Sequence, residues 1–559
     1  MAQEKLILDY IYEHESTRPD KVFLSQPVGG GRVTDYTWAQ TMDQARRMAT
    51  HIKSRNFGPD ARIAILSKNC AHFVIAELAI WMAGCTTVAI FPTETAETIH
   101  YVLEHSGASL LFVGKLDLWE HQASAVPSGL PCIALPLAPA TPFESWDVIT
   151  TRTAPFTGKA QRAAGDISIL VYTSGSTGQP KGVMHSFKGT TAASVGMHQF
   201  IQQQIGAEIE PRVLSYLPLA HIFERSWIEC AALVDGNTHI YFAESLDTFL
   251  QDLNRARPNV FLSVPRLWLK FQQGVFTKMP ARKLERLLRI PILGRIVARK
   301  VLKGLGLDQV LLAASGSAPI PPELIAWYHR LGLNLMEGYG MTEDFAYSHA
   351  STPHHASTGC VGMPMPGVQV RLTEEGEILI KSPGQMVGYF KRPDLDAEVF
   401  TSDGYFRTGD KGERTPEGLL KLTGRIKELF KTSKGKYIAP APIENMLNAH
   451  PMVEICMVSG VGQPAAYAMV VLAEDLRPRV NKPEARAEVQ RELTELLKTV
   501  NSQLPDYEQL RMLVLAPEPW SIENGYLTPT MKIRRNRIET AVHGDMEKWY
   551  ASKEPIHWA

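Results

Sequence analysis

The sequence predicts an α/β protein: a large N-terminal α/β body, a small β unit, then a smaller α+β segment. Three observations predict it. Short β-branched, apolar runs recur at residues 62–66, 87–91, 109–113, 168–172 and 310–314. Helix-period stretches, such as 38–53 and 71–82, lie between several of them. Strands alternating with helices imply βαβ units and mostly parallel sheets. After about Val368 the pattern changes to closely spaced strands and Gly/Asp turns.

The apolar stretch 73–91 is the longest, but Glu77 interrupts it, and Gly84-Cys85-Thr86-Thr87 reads as a helix-to-strand junction. A buried helix followed by a buried strand is therefore expected there, not a membrane span. Residues 368–372 and 377–381, separated by Glu374-Glu375-Gly376, read as a hairpin. Turns follow at Asp403-Gly404, Gly409-Asp410 and Pro416-Glu417-Gly418. From about Arg425 a helix is expected at 443–449, a strand at 453–459 and a long charged helix at 483–501.

With 559 residues and 45% of them hydrophobic, the chain can build several cores, which excludes general disorder. Lys+Arg and Asp+Glu balance at 58 each, which argues against a protein that coats nucleic acid. The six cysteines (Cys70, Cys85, Cys132, Cys230, Cys360, Cys456) show no C-x-x-C spacing, so a reducing compartment is expected. Glu4, Asp9, Glu13 and Glu15 stand where a signal peptide would be basic and apolar; a cytoplasmic location is expected.

The sharpest local feature is Val171-Tyr-Thr-Ser-Gly-Ser-Thr-Gly-Gln-Pro-Lys-Gly-Val183, directly after an apolar strand. Gly175, Gly178 and Gly182 let backbone N–H groups crowd around an anion. The hydroxyls of Thr173, Ser174, Ser176 and Thr177 can donate to it, and Lys181 adds a positive charge. That composition suits a polyphosphate. The run is not a Walker A loop, because Pro180 stands where the second glycine belongs, and it is not a G-x-G-x-x-G turn.

This run resembles the phosphate-binding motif of the acyl-adenylate-forming enzymes, and other motifs of that superfamily follow in order. Leu217-Pro-Leu-Ala-His-Ile-Phe-Glu-Arg225 resembles the acyl-tunnel segment. Gly316-Ser-Ala-Pro319 and Glu337-Gly-Tyr-Gly-Met-Thr-Glu343 resemble the adenine and α-phosphate segments. Tyr405-Phe-Arg-Thr-Gly-Asp410 and Gly424-Arg-Ile-Lys427 resemble the ribose site and hinge, and Asn524-Gly-Tyr-Leu-Thr-Pro-Thr-Met-Lys532 the catalytic-lysine loop. Within the superfamily the chain is most similar to long-chain fatty acyl-CoA synthetases. The cues are Phe430-Lys-Thr-Ser-Lys-Gly-Lys-Tyr-Ile-Ala-Pro440, Leu527-Thr-Pro-Thr-Met-Lys532, and Val264-Pro-Arg266 followed by a basic helical insertion.

The resemblance implies an AMP-binding N-terminal domain (1–426) that includes a small β-barrel-like unit, and a mobile C-terminal domain (427–559). It implies ATP, Mg²⁺ and coenzyme A as cofactors and co-substrates, a fatty acid as the acid, and allows a homodimer; nucleic acid is not an expected partner. Lys532 would bridge the carboxylate and the α-phosphate, supplying charge where it develops. Glu343 would ligate Mg²⁺, Thr342 would contact the α-phosphate, and Tyr339 offers a ring to adenine. Gly316, Ser317, Ala318, Glu337, Gly338, Gly340 and Met341 complete that wall. Asp410 can accept both ribose hydroxyls and Arg425 can donate to the same sugar. Lys427 is the hinge position, and Lys434, Gly435 and Lys436 would face the CoA arm after rotation. His221 and Trp227 would line the acyl tunnel, with Trp227 as its gate.

Two further expectations concern single segments. His349, His354, His355 and Cys360 match no standard zinc spacing, so a surface loop is expected there. Residues 281–303 hold eight basic residues against Glu285 alone, with Leu and Ile at helical spacing and Pro291 between two halves. A pair of basic amphipathic helices resting on anionic lipid is expected, which would make the protein peripheral on the cytoplasmic membrane face. The leading function is an ATP-dependent fatty acid:CoA ligase. The alternatives are a fatty acyl-AMP ligase that serves a carrier protein, an aryl- or short-acid ligase, and a non-catalytic lipid-binding protein on the same fold.

Overall fold

The computed structural model describes residues 5–173, 179–353, 357, 359–528 and 531–559. Its largest sheet has eight strands among the described residues. Thr86–Ile90, Arg62–Leu66, Ala108–Val113 and Ile167–Thr173 form its parallel centre. Lys181–Ser186 and Gly388–Tyr389 add an antiparallel edge. The centre is buried on both faces, so its strands are continuously apolar, and the helix Ala71–Met82 that feeds Thr86–Ile90 is buried at every position. The interrupted apolar stretch is thus a core helix and a core strand.

Local signals place the flanking helices. Thr37 accepts from the Gln40 backbone N–H at 3.3 Å while the Gln40 side chain accepts from the Thr37 N–H at 2.9 Å, a capping box that starts Trp38–Ser54. A second sheet runs Val260–Ser263, Leu312–Ser315 and Leu335–Tyr339 in parallel before turning antiparallel at His349–Ala350. Gln369–Leu372 and Glu377–Lys381 pair as the expected hairpin, extended by Phe406–Arg414 and Leu420–Arg425.

Two cores built wholly from Phe430 onward lie on opposite faces of the sheet Val453–Ser459, Ala466–Leu472, Leu510–Leu515 and Ile556–Trp558. Strand alternation makes them: Cys456, Val458, Ala468 and Val470 face the helices Pro440–Asn448 and Pro483–Asn501, whereas Met457, Met469 and Val471 face Leu527, Ile538 and Trp549.

Glu77 is repaid by a distant partner. Arg225, fully buried, donates from Nη1 to Glu77 Oε1 at 3.0 Å and from Nε to the Leu219 carbonyl at 3.2 Å, with Glu229 at 3.8 Å. Residues Arg225–Cys230 form a single π-helical turn, the widened geometry that often marks functional sites.

The surface-loop expectation for the histidine cluster needs correction. His349 is buried in a strand between Leu335–Tyr339 and Met363–Pro364, and Cys360 is buried as well. His354 and His355 lie outside the described residues. Among the described residues no three His, Cys, Asp or Glu side chains group as a metal site.

Candidate active site

Three strands from two sheets lead into the motif segments at their carboxyl ends, the place where open α/β sheets bind ligands. Ile167–Thr173 runs into the hydroxyl-rich loop, Leu312–Ser315 into Gly316-Ser317-Ala318, and Leu335–Tyr339 into Gly340-Met341-Thr342. Thr173 pairs with Lys181 across the loop, which therefore joins two antiparallel strands. Ser174, Gly175, Ser176, Thr177 and Gly178 lie outside the described residues. At that strand end Gly316 is buried, a Cβ there standing 3.2 Å from the Phe223 ring, and Ser317 and Ala318 are exposed. Gly340 must be glycine, since a Cβ there would stand 2.8 Å from the Ala346 backbone.

Glu337 is buried in its strand, and burial pushes its carboxyl up to about 7. Gly338 and Tyr339 continue the strand into the cleft. Thr342 is held from behind, because His185 Nε2 donates to its carbonyl at 2.8 Å and burial keeps that imidazole neutral, down to about 4. Asp344, the next carboxyl after Glu343, accepts from the Met341 N–H at 2.9 Å and fixes the turn. Tyr339 donates to Asp410 Oδ2 and Arg425 Nε donates to Asp410 Oδ1, each at 2.7 Å. Asp410 faces Arg425 across an antiparallel pair, so the sheet itself sets this triad.

Tyr389 was invisible in the sequence. Its hydroxyl donates to Glu343 Oε1 at 2.7 Å, and Lys181 Nζ stands 5.3 Å from the centre of its ring. It joins the lysine of the phosphate loop to the carboxylate of the Glu337–Glu343 motif. Nothing in the local text Gly388-Tyr389-Phe390 signals this, because the edge strand reaches the cleft only through its pairing with Lys181–Ser186.

Lys532 stands on a hairpin: Leu527 bridges Ile533, the Lys532 N–H donates to Thr528 Oγ1 at 3.0 Å, and Arg534 N donates to the Tyr526 carbonyl at 2.8 Å. The side chain reaches solvent, yet protein closes around it as in a narrow cleft. That desolvation first, and then the Arg425 cation, hold its ammonium below the ordinary lysine range; Asp410, Glu343 and Glu428 pull the other way. Lys532 also adds to the burial that depresses His221, down to about 3. One cleft thus gathers Lys532, Glu343, Asp410, Arg425 and His221, from motifs spread over 221–532.

His221 caps the next short helix, its Nδ1 accepting from the Phe223 N–H at 3.2 Å. Trp227, inside the π turn, donates its indole N–H to the Ala346 carbonyl at 2.9 Å and meets Phe200 edge-on. Trp227, Ile228, Ala231 and Ala232, with the polar His198, Asp235 and Thr238, line a narrow cavity with about 10 Å³ of open space, room for one water at most. Lys427 is exposed on a short 3₁₀ turn, and Lys434, Gly435 and Lys436 form an exposed turn of the C-terminal unit. The structure does not bring that turn to the cleft with Lys532.

This arrangement agrees with a comparison against known families: the model of the AMP-binding enzyme family matches residues 11–390. The chain belongs to that family. A model of the AMP-binding enzyme C-terminal domain matches residues 428–554 of this AMP-binding enzyme. It is 29% identical to the long-chain-fatty-acid–CoA ligase FadD15 of Mycobacterium bovis, over 97% of this chain and 96% of that protein. It is 27% identical to human long-chain-fatty-acid–CoA ligase 1, over 98% and 88%. Among solved structures, the A domain of a carboxylic acid reductase from Segniliparus rugosus, in complex with AMP and a co-purified carboxylic acid, superposes with TM-score 0.80 at 21% identity, over 98% of this chain and 95% of that one. A benzoate CoA ligase from Burkholderia xenovorans gives 0.74 at 23%, over 96% and 100%. The structural likenesses show that this AMP-binding enzyme shares the fold of those two chains.

Proposed function

We propose that the protein is an ATP-dependent fatty acid:CoA ligase acting on long acyl chains. The observation that carries the reading is the convergence of Lys532 with Glu343, Asp410, Arg425 and His221 in one cleft. In the first step a carboxylate oxygen of the acid attacks the α-phosphorus of ATP, the bond from that phosphorus to the bridging oxygen breaks, and pyrophosphate leaves. Two anions must meet, so a cation placed between them lowers the barrier. Lys532 is that cation. Asp410 keeps lone pairs beyond those given to Tyr339 and Arg425, which suits it to accept two ribose hydroxyls.

Mg²⁺ fits the residues present. Glu343, which among the described residues belongs to no group of three metal-binding side chains, matches an ion that takes few protein ligands and completes its shell with phosphate oxygens and water. When bound it would neutralise the phosphate charge. Tyr389 then orients the Glu343 oxygen. Tyr389→Phe removes one hydrogen bond to a charged group, worth about 1.5–3 kcal/mol, so kcat/KM is expected to fall about 10–100-fold with a raised Mg²⁺ requirement. A Mg²⁺ titration of ATP–pyrophosphate exchange checks it; an unchanged Mg²⁺ midpoint refutes the orienting role.

In the second step the thiolate sulfur of CoA attacks the acyl carbon, the bond to AMP breaks, and AMP leaves. Lys434, Gly435 and Lys436 are the residues suited to the CoA arm, and reaching it requires the C-terminal unit to turn about Lys427. Trp227 is the proposed gate. The long-chain preference is supported by the names of the relatives. The test is purified enzyme with ATP, Mg²⁺ and acids from acetate to palmitate, with and without CoA. Acyl-CoA and AMP rising with chain length support the reading. Adenylate without thioester would assign carrier-protein transfer, and no ATP use with any acid would assign a non-catalytic role.

A further inference from the structure

The two basic helices of the 281–303 insertion form a hairpin with an exposed outer side. Ala281–Leu288 and Leu293–Gly304 bury only Leu284, Ala298 and Leu302 as side chains, against Trp268 and Phe271. The hairpin closes tightly: a Cβ on Gly294 would stand 2.4 Å from the Leu288 carbonyl oxygen.

Leu288, Val297 and Val301 pack part-buried against the same core, and the cations point outward. Arg282, Lys283, Arg286, Arg289, Arg295, Arg299, Lys300 and Lys303 are all exposed, and among the described residues none of them forms an ion pair. Elsewhere in the chain exposed arginines such as Arg257 and Arg392 do find carboxylates. The outward positions recur at helical spacing, 282, 286 and 289 on the first helix and 292, 296, 299 and 303 on the second, so each helix presents one continuous stripe.

The tip is apolar and equally uncovered. Ile290 is 46% exposed, Ile292 74%, Leu293 41% and Ile296 60%. Ile292 adopts φ +65°, a region that is a strained outlier for a β-branched residue. Glycine would relieve that strain, and burial within this chain does not offset it. Strain of this kind, kept at an exposed apolar side chain, points to a role for the side chain outside the fold.

We propose that this hairpin docks on a bilayer surface that carries anionic lipid, with the Ile290–Ile296 tip entering the headgroup boundary and the eight cations meeting lipid phosphates. Charge complementarity selects the partner: an apolar tip inside a cationic ring fits an anionic interface with hydrocarbon beneath it. Nucleic acid would want aromatic platforms among the cations, and 281–304 contains no aromatic residue. No described helix is long and apolar enough to cross a membrane, so the contact is at the surface. The inference concerns where the enzyme sits and holds whichever acid it activates.

The test is co-sedimentation of the full chain with vesicles of phosphatidylcholine alone or mixed with phosphatidylglycerol. Binding to the mixed vesicles, weakened by salt, and none to phosphatidylcholine is the expected result. Arg286→Glu/Arg295→Glu/Arg299→Glu should lower the partition about 10²-fold, at roughly one kcal/mol for each cation lost near the surface. Ile292→Ser/Ile296→Ser should lower it too, with ATP–pyrophosphate exchange on a soluble short acid and the melting temperature unchanged in both variants. Equal binding to both vesicle types, or wild-type binding by either variant, overturns the proposal. So does an oligonucleotide that binds the hairpin as tightly as the vesicles do.

Discussion

Replacing Lys532 by alanine is expected to cut acid-dependent ATP–pyrophosphate exchange about 10²–10³-fold, the usual cost of losing one preorganised charge at a developing anion. The loss should fall on kcat rather than on the KM for ATP, because in the proposed reading the nucleotide is bound by Asp410, Arg425 and Tyr339, which hold one another in place without Lys532. Thioester formation from chemically prepared acyl-adenylate and CoA should keep most of its rate, since that step has no carboxylate to bring against a triphosphate. The low pKa of Lys532 sets the pH dependence. A cation held below the ordinary lysine range loses its proton at lower pH, so exchange should decline on the alkaline side earlier than a free lysine would allow. Lys532→Arg should restore charge and move that limb upward, while its planar fork restores little rate. Equal loss in the two half-reactions would refute the assignment.

The second large effect concerns stability. Arg225→Met should cost about 3–5 kcal/mol, the range for breaking a buried ion pair from one side. Arg225 is the cation of a cluster that holds both Glu77 and Glu229, all three fully buried. Glu229 is pushed well above the ordinary carboxyl range, by burial first and then by the neighbouring Glu77. That makes the two substitutions unequal. In Glu77→Gln, Glu229 can ionise and take over the guanidinium, whereas no second cation replaces Arg225. Chemical denaturation should therefore show Arg225→Met clearly less stable than Glu77→Gln; equal losses would mean that Glu229 does not act as a reserve partner. Because Arg225 opens the π turn that carries Trp227, the same variant should also disturb use of the acid.

How much of this was legible in the sequence depends on how far each feature lies from its cause. The helix Pro483–Asn501 and the strand Val453–Ser459 stand where periodicity placed them, because a one-face core writes its period into the chain. The Lys532 and Asp410 motifs were legible as text, whereas their convergence is a product of the tertiary fold. Glu77 could be read as an interruption of an apolar helix, but its partner lies 148 residues away. His349 was misread for a physical reason: the polar run around it looks like a loop, while pairing with Leu335–Tyr339 and Met363–Pro364 buries it. Tyr389 carries no local mark at all.

One contact joins the C-terminal sheet to the body of the molecule with an asymmetry worth following. Glu454 accepts from Arg266 at 2.7 Å and also pairs with Arg477 of its own unit. A carboxylate shared in this way is never stranded. In the turn proposed about Lys427, Arg477 would keep Glu454 company and Arg266 would regain the water whose loss depresses it. In the proposed rotation, opening this contact would break one of two ion pairs at Glu454 and leave the other inside the C-terminal unit.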